Sequence, residues 1–139
     1  MHNMKFILSN MLLFCFCSTH AQTDTTKIVT TDSAVYFHTE IRAEYPGGIH
    51  AWMRYLQKNL RYPDHAVSKN IQGTVIVQFI VDSTGIVHDV SAISGPDELR
   101  EESIRLIQKA GTWVPAINNG KKVNSWKRQP FSFKLETPN

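Results

Sequence analysis

The chain has 139 residues and a formal net charge of +3 at pH 7 from 15 basic and 12 acidic side chains. That length suits one domain around one core, and so small a charge argues for neither a nucleic-acid partner nor a membrane surface. Both cysteines, Cys15 and Cys17, fall in the first apolar run, so the rest of the chain has no thiol for disulfides, metal ligation or nucleophilic chemistry.

Residues 1–21 read as a secretory leader. Lys5 supplies the positive start, Phe6 to Cys17 the apolar run, and Thr19-His20-Ala21 the small residues of a cleavage site. The run contains Ser9 and Asn10 and falls short of the roughly 20 apolar residues a span needs, so an uncleaved inner-membrane anchor is the weaker reading. Each cysteine follows a Phe where lipidation demands a small residue. The chain is therefore expected to be exported, with no retained anchor.

Residues 22–44 are expected to be a flexible lead-in, rich in Thr, Asp and Ser at first, in which Val35 to Ile41 could form a short strand or an extended arm. The folded domain is assigned to residues 45–137. Pro46-Gly47-Gly48 breaks the chain, and no P-loop pattern accompanies these glycines, so they read as a turn and helix start rather than a phosphate cradle. Ile49, Trp52, Met53, Leu56 and Leu60 then recur at helical spacing and predict a helix with one apolar stripe. Tyr62-Pro63 ends it. Asp64 to Asn70 could add one short helical turn.

From Thr74 to Val81 the chain is nearly continuous Val, Ile and Phe, with Val75, Val77, Phe79 and Val81 on one face and Ile76 and Ile80 on the other. Apolar residues on both faces predict a strand in the middle of a sheet. Asp82-Ser83-Thr84-Gly85 supplies turn chemistry, and Ile86 to Ile93 returns as the second strand of a hairpin. Asp97 to Ala110 reads as a second helix, acidic at its start and basic at its end. Its buried stripe is Leu99, Ser103, Leu106, Ile107 and Ala110. Asn118-Asn119-Gly120 marks a turn, and a last strand is expected from Trp126 to Leu135, where Phe131, Phe133 and Leu135 alternate with Pro130, Ser132 and Lys134. Pro130 cannot donate to a ladder, which puts this strand at the rim. The fold class is α+β: a three-stranded antiparallel sheet, two helices on one face, order α-β-β-α-β, last strand at the sheet edge.

No constellation carries catalysis, and no motif calls for a cofactor or metal. His38, His50, His65 and His88 lack helical pairing with a second ligand. His88 and Asp89 adjoin in a strand, where neighbours point to opposite faces. Glu98, Glu101 and Glu102 are explained by helix electrostatics. The basic residues Lys121, Lys122, Lys127, Arg128 and Lys134 read as a solvated face. An enzyme is not expected.

The chain nonetheless resembles the C-terminal domain of TonB-family energy transducers over roughly Tyr45 to Leu135. The residues carrying the likeness are Tyr62-Pro63, Ala66, the Gly73, Val75, Val77, Phe79, Val81 alternation, Asp82 with Gly85, and Val87 with Val90. They continue through Trp113 and Pro115, then Asn119-Gly120-Lys121 with Val123, and Pro130-Phe131-Ser132-Phe133-Lys134-Leu135. Pro46-Gly47-Gly48 looks like the form common in one large group of Gram-negative bacteria.

The resemblance implies a periplasmic domain that binds the TonB box, a short extended peptide of TonB-dependent outer-membrane transporters, by adding it as a strand. It implies contacts from Trp126, Arg128, Pro130, Ser132 and Lys134 along the last strand, and from Asn59, Arg61, Tyr62 and Pro63 ahead of the hairpin. Full-length transducers have a membrane helix and a long Pro- and Lys-rich spacer. Neither is read here, so the expectation is a stand-alone TonB-like binding module. The alternative is a structural or assembly protein of the cell envelope, using the same rim for homodimerisation or another partner.

Overall fold

The computed structural model describes residues 34–136, and the expected leader and residues 22–33 of the lead-in lie outside them. Strand β2 (Gly73–Val81) is the centre of the sheet. Its alternation sorts the side chains as read: Val75, Val77, Phe79 and Val81 are fully buried on the helix-covered face, while Ile80 is 5 % exposed on the other. Burying each such side chain contributes about 1.5–3 kcal/mol. β3 (Val87–Ser94) and β5 (Lys121–Phe133) flank β2, both antiparallel.

The turn between β2 and β3 is built by Asp82. Its carboxylate accepts hydrogen bonds from the Thr84 amide (2.8 Å), the Thr84 hydroxyl (2.6 Å) and the Ile86 amide (3.0 Å). Gly85 completes the turn at φ 88°, and a Cβ there would collide with the Trp113 carbonyl oxygen.

Three helices lie in order α1 (Gly48–Asn59), α2 (Asp64–Ser68) and α3 (Asp97–Lys109). α3 buries the stripe its sequence announces, with Leu99, Ser103, Leu106 and Ile107 fully inaccessible. α1 forms where expected, but its stripe divides. Trp52 turns into the core and Leu56 packs at its margin, whereas Ile49 and Met53 are 65 % and 49 % exposed. Trp52 meets Tyr45, Tyr55, Trp113 and Phe131 at centroid distances of 5.2–6.0 Å, so large rings cover the area that the aliphatic residues were expected to fill.

The sheet has five strands rather than the expected three, and α2 is a third helix. The added strands are β1 (Val35–Tyr36) and β4 (Ala116–Asn118), too short for alternation to show. β1 pairs parallel with β5 at Asn124 and Ser125, giving the order β1-β5-β2-β3, and β4 pairs with β5 across the Asn119-Gly120 turn. Residues ahead of Tyr45 thus join the fold: Ile41 and Glu44 bridge to Ile117 and Val114, and Ala43 is buried. No helix among the described residues is long and apolar enough to cross a membrane.

Candidate functional site

β5 has two halves with different surroundings. Lys121 to Val123 pair with β4, and Asn124 and Ser125 pair with β1 on the side away from β2. From Ser125 to Phe133 the strand matches β2 residue for residue, nine pairs without a register shift. On the outer side of residues 126–133 no strand pairs among the described residues. The last strand is therefore a rim over residues 126–133 of the expected Trp126 to Leu135; it begins five residues earlier, is flanked there, and ends at Phe133. Pro130 sits opposite Ile76 inside this open stretch, where one side has no ladder to donate to.

The alternation of β5 separates two rows. Phe131 and Phe133 are buried on the helix face. Trp126, Arg128, Pro130 and Ser132 share the opposite face, across from Ile80, Gln78, Ile76 and Thr74. Trp126 stacks on Phe37 (5.9 Å, 14°), just after β1. Arg128 Nε donates to Gln78 Oε1 at 2.9 Å. Pro130 and Ser132 are exposed, and Lys134 lies exposed just beyond the strand.

The other expected contact group is held differently. Glu102, 8 % exposed, accepts from the Arg61 amide (2.7 Å) and pairs with Arg105 (2.7 Å), whose guanidinium also donates to the Asn59 carbonyl (2.8 Å). Asn59 donates its side-chain amide to Tyr55 O at 2.8 Å, and Pro63 begins α2 by accepting from the Ala66 and Val67 amides. Tyr62 reaches β5: its ring meets Phe133 edge-on at 5.5 Å, while its hydroxyl donates to Ile71 O at 2.6 Å. The structure thus gathers Trp126, Arg128, Pro130 and Ser132 along one rim, and fastens Asn59 and Arg61 to α3. Glu102 is more than a helix-start charge. It and Arg105 clamp the chain between α1 and α2.

Sequence reading missed the ground at the near end of the rim. A cavity of about 450 Å³ lies between residues 37–43 and residues 125–128. Lys127, expected on a solvated face, is half-buried on the helix side with its ammonium 5.6 Å from the Trp113 ring centre. Burial pushes its pKa down and Arg42 adds to this, against the opposing pull of Glu44. The signal available was the alternation that puts Lys127 in register with Phe131.

The rim of β3 differs again. His88 Nδ1 lies 3.1 Å from Asp89 Oδ2, although strand neighbours were expected to diverge. Asp89 has φ 52° within β3, beside a register shift against β2, so the regular strand alternation does not hold there. Both are well exposed.

Comparison with known proteins agrees with this architecture. The chain is similar over 68 % of its length to the C-terminal domain of Helicobacter pylori TonB, solved in solution by NMR, covering 91 % of that chain at 21 % identity and a TM-score of 0.50. A shorter form of the same domain matches over 64 % of this chain and 95 % of its own, at 22 % identity and a TM-score of 0.48. No curated protein sequence matches. The model of the family described as Gram-negative bacterial TonB protein C-terminal matches residues 58–135, more than half of the chain. These residues hold Tyr62-Pro63, the β2–β3 hairpin, α3 and the open half of β5, and the chain belongs to that family.

Proposed function

We propose that this protein is a periplasmic TonB-like module that docks the TonB-box peptides of outer-membrane transporters by β-strand addition, in association with TonB-dependent transport. The observation that carries this reading is that, among the described residues, no strand pairs with the outer side of residues 126–133, which run in regular register against β2. An extended peptide laid there gains main-chain hydrogen bonds, and the exposed Arg128, Pro130, Ser132 and Lys134 would flank its side chains. Trp126 and Phe37 would close one end and Tyr62 would border the other. Asn59 and Arg61 would act through the shape of their clamped loop, since their backbone groups already bond to α3.

The test is titration of the purified protein with TonB-box peptides from transporters of the same cell. Saturable binding that Ser132→Pro removes, with the melting temperature unchanged in the peptide-free protein, supports docking at this rim. Absence of binding to every such peptide rejects it. Self-association that buries the last strand as concentration rises would favour the assembly reading instead.

A further inference from the structure

Helix α1 lies over β5 and leaves one apolar flank uncovered. Trp52 packs on Phe131 at 6.0 Å, and Tyr62, just past the helix, meets Phe133 at 5.5 Å, so the helix and the residues after it run above that strand. Tyr55 marks the inner flank of α1. Its hydroxyl donates to the Leu106 carbonyl of α3 at 2.8 Å, and α3 packs over β2 and β3. At about 100° per helical residue, Tyr55 points about 60° to one side of Trp52, while Ile49 and Met53 point about 60° and about 100° to the other. Ile49 and Met53 therefore face away from α3, toward the outer side of β5. They lie one turn apart and both are well exposed. The opposite face of the same open stretch carries Arg128 and Ser132, across from Gln78 and Thr74, with Pro130 between them.

We infer that Ile49 and Met53 form an apolar wall beside the open rim and select guest strands that carry aliphatic side chains at alternate positions. The inference rests on the strand-docking reading and adds which guests are preferred. The ladder of residues 126–133 accepts an extended backbone, whose side chains alternate between faces. A helix with its side chains is about 10 Å across, so a strand added about 4.8 Å beyond β5 still lies under the outer flank of α1. Every second guest residue then meets Ile49 and Met53 and extends the buried row of Phe131 and Phe133 by one strand. The residues between them lie beside Arg128 and Ser132, where water reaches. Aliphatic surface buried on both sides stabilises such a guest over one with the same residues in another order. The division of the α1 stripe acquires a reason: the half that the aromatic cluster leaves exposed is the half a guest covers.

The experiment compares two acetylated and amidated peptides of identical composition, each as long as the open rim. One alternates Val and Thr singly and the other in pairs, Val-Val-Thr-Thr. Binding to the purified protein is read by calorimetry at several temperatures. The singly alternating peptide is expected to bind about fivefold to twentyfold more tightly, with a more negative heat-capacity change. Replacing both wall residues, Ile49→Ser with Met53→Ser, brings that ratio within about twofold. Ile86→Ser removes an exposed aliphatic side chain from the β2–β3 turn instead and leaves the ratio intact. Circular dichroism and residual binding of the paired peptide show that the double variant is folded. Equal binding of the two peptides overturns the wall and leaves strand docking standing. A preference that survives in the double variant overturns its assignment to α1. Dimerisation of the peptide-free protein that the double variant abolishes gives the flank to a second copy and overturns the guest. If only transporter segments bind, unchanged affinity in the double variant overturns the wall in the same way. If neither peptide binds and transporter segments fail as well, strand docking falls and the wall with it.

Discussion

Among the described residues, β3 and the 126–133 half of β5 both have an open side, and the two differ in regularity. β3 pairs with β2 through two register shifts, contains the left-handed Asp89, and presents the exposed His88–Asp89 pair there. Bulges and charges of this kind are how sheets discourage edge-to-edge pairing. β5 keeps an unbroken register with β2 from Ser125 to Phe133, and no bulge twists its outer side away. The difference lies in regularity rather than in exposure. A guest strand needs several consecutive donors and acceptors in step, and among the described residues residues 126–133 of β5 keep a longer unshifted register than β3 does.

The comparison can be broken by attacking what keeps the β5 rim regular. Phe131 is 1 % exposed and packs on Trp52 at 6.0 Å, anchoring the strand from beneath. Phe131→Ala is expected to lower stability by about 3–5 kcal/mol in denaturant titration. Ser132→Pro acts on the rim itself. It should weaken peptide binding at least about tenfold, roughly 1.4 kcal/mol, whereas Ser91→Lys on the β3 rim leaves affinity within about twofold. Binding lost equally in both variants would show that the rims are not distinct.

Smaller changes sharpen the contrast. Phe37→Ala removes the ring stacked on Trp126. Chemical denaturation should show a loss of about 0.5–1 kcal/mol, discounted because Phe37 is 65 % exposed. Asp89→Gly relieves the left-handed residue and should gain about 0.5 kcal/mol without creating peptide affinity on β3. The smallest effect concerns the turn that joins β2 to β3. Burial pushes the Asp82 carboxyl up, but the hydrogen bonds from Thr84 and Ile86, with His88 nearby, outweigh it and hold its pKa below the usual value. A depressed folded-state pKa means that the contribution is present above about pH 4 and is lost as pH falls below it. The stability gap between the protein and Asp82→Asn should close across that acid window. Solvent screening keeps it under about 0.5 kcal/mol.

Sequence patterning made part of this legible. The period-2 run from Val75 to Val81 identified the central strand, the acidic-to-basic gradient and apolar stripe identified α3, and Pro130 identified a rim. These signals are local, carried by neighbours within a few residues. What stayed hidden depends on pairings far apart in the chain. Glu102 reaches the Arg61 amide across 41 positions, and β1 finds β5 across nearly the whole domain with only two residues. The division of the α1 stripe was equally invisible, because Ile49 and Trp52 look alike to periodicity and only the aromatic cluster decides which is buried. The cavity beside Lys127 follows from the same non-local geometry, since its two walls lie more than eighty residues apart.

Amide hydrogen exchange with and without a bound TonB-box peptide addresses the open rim most directly. Added protection concentrated in residues 126–133, with residues 87–94 unchanged, is the expected pattern. Saturating peptide that leaves residues 126–133 exchanging at their free rate, or that protects β3 instead, would contradict it.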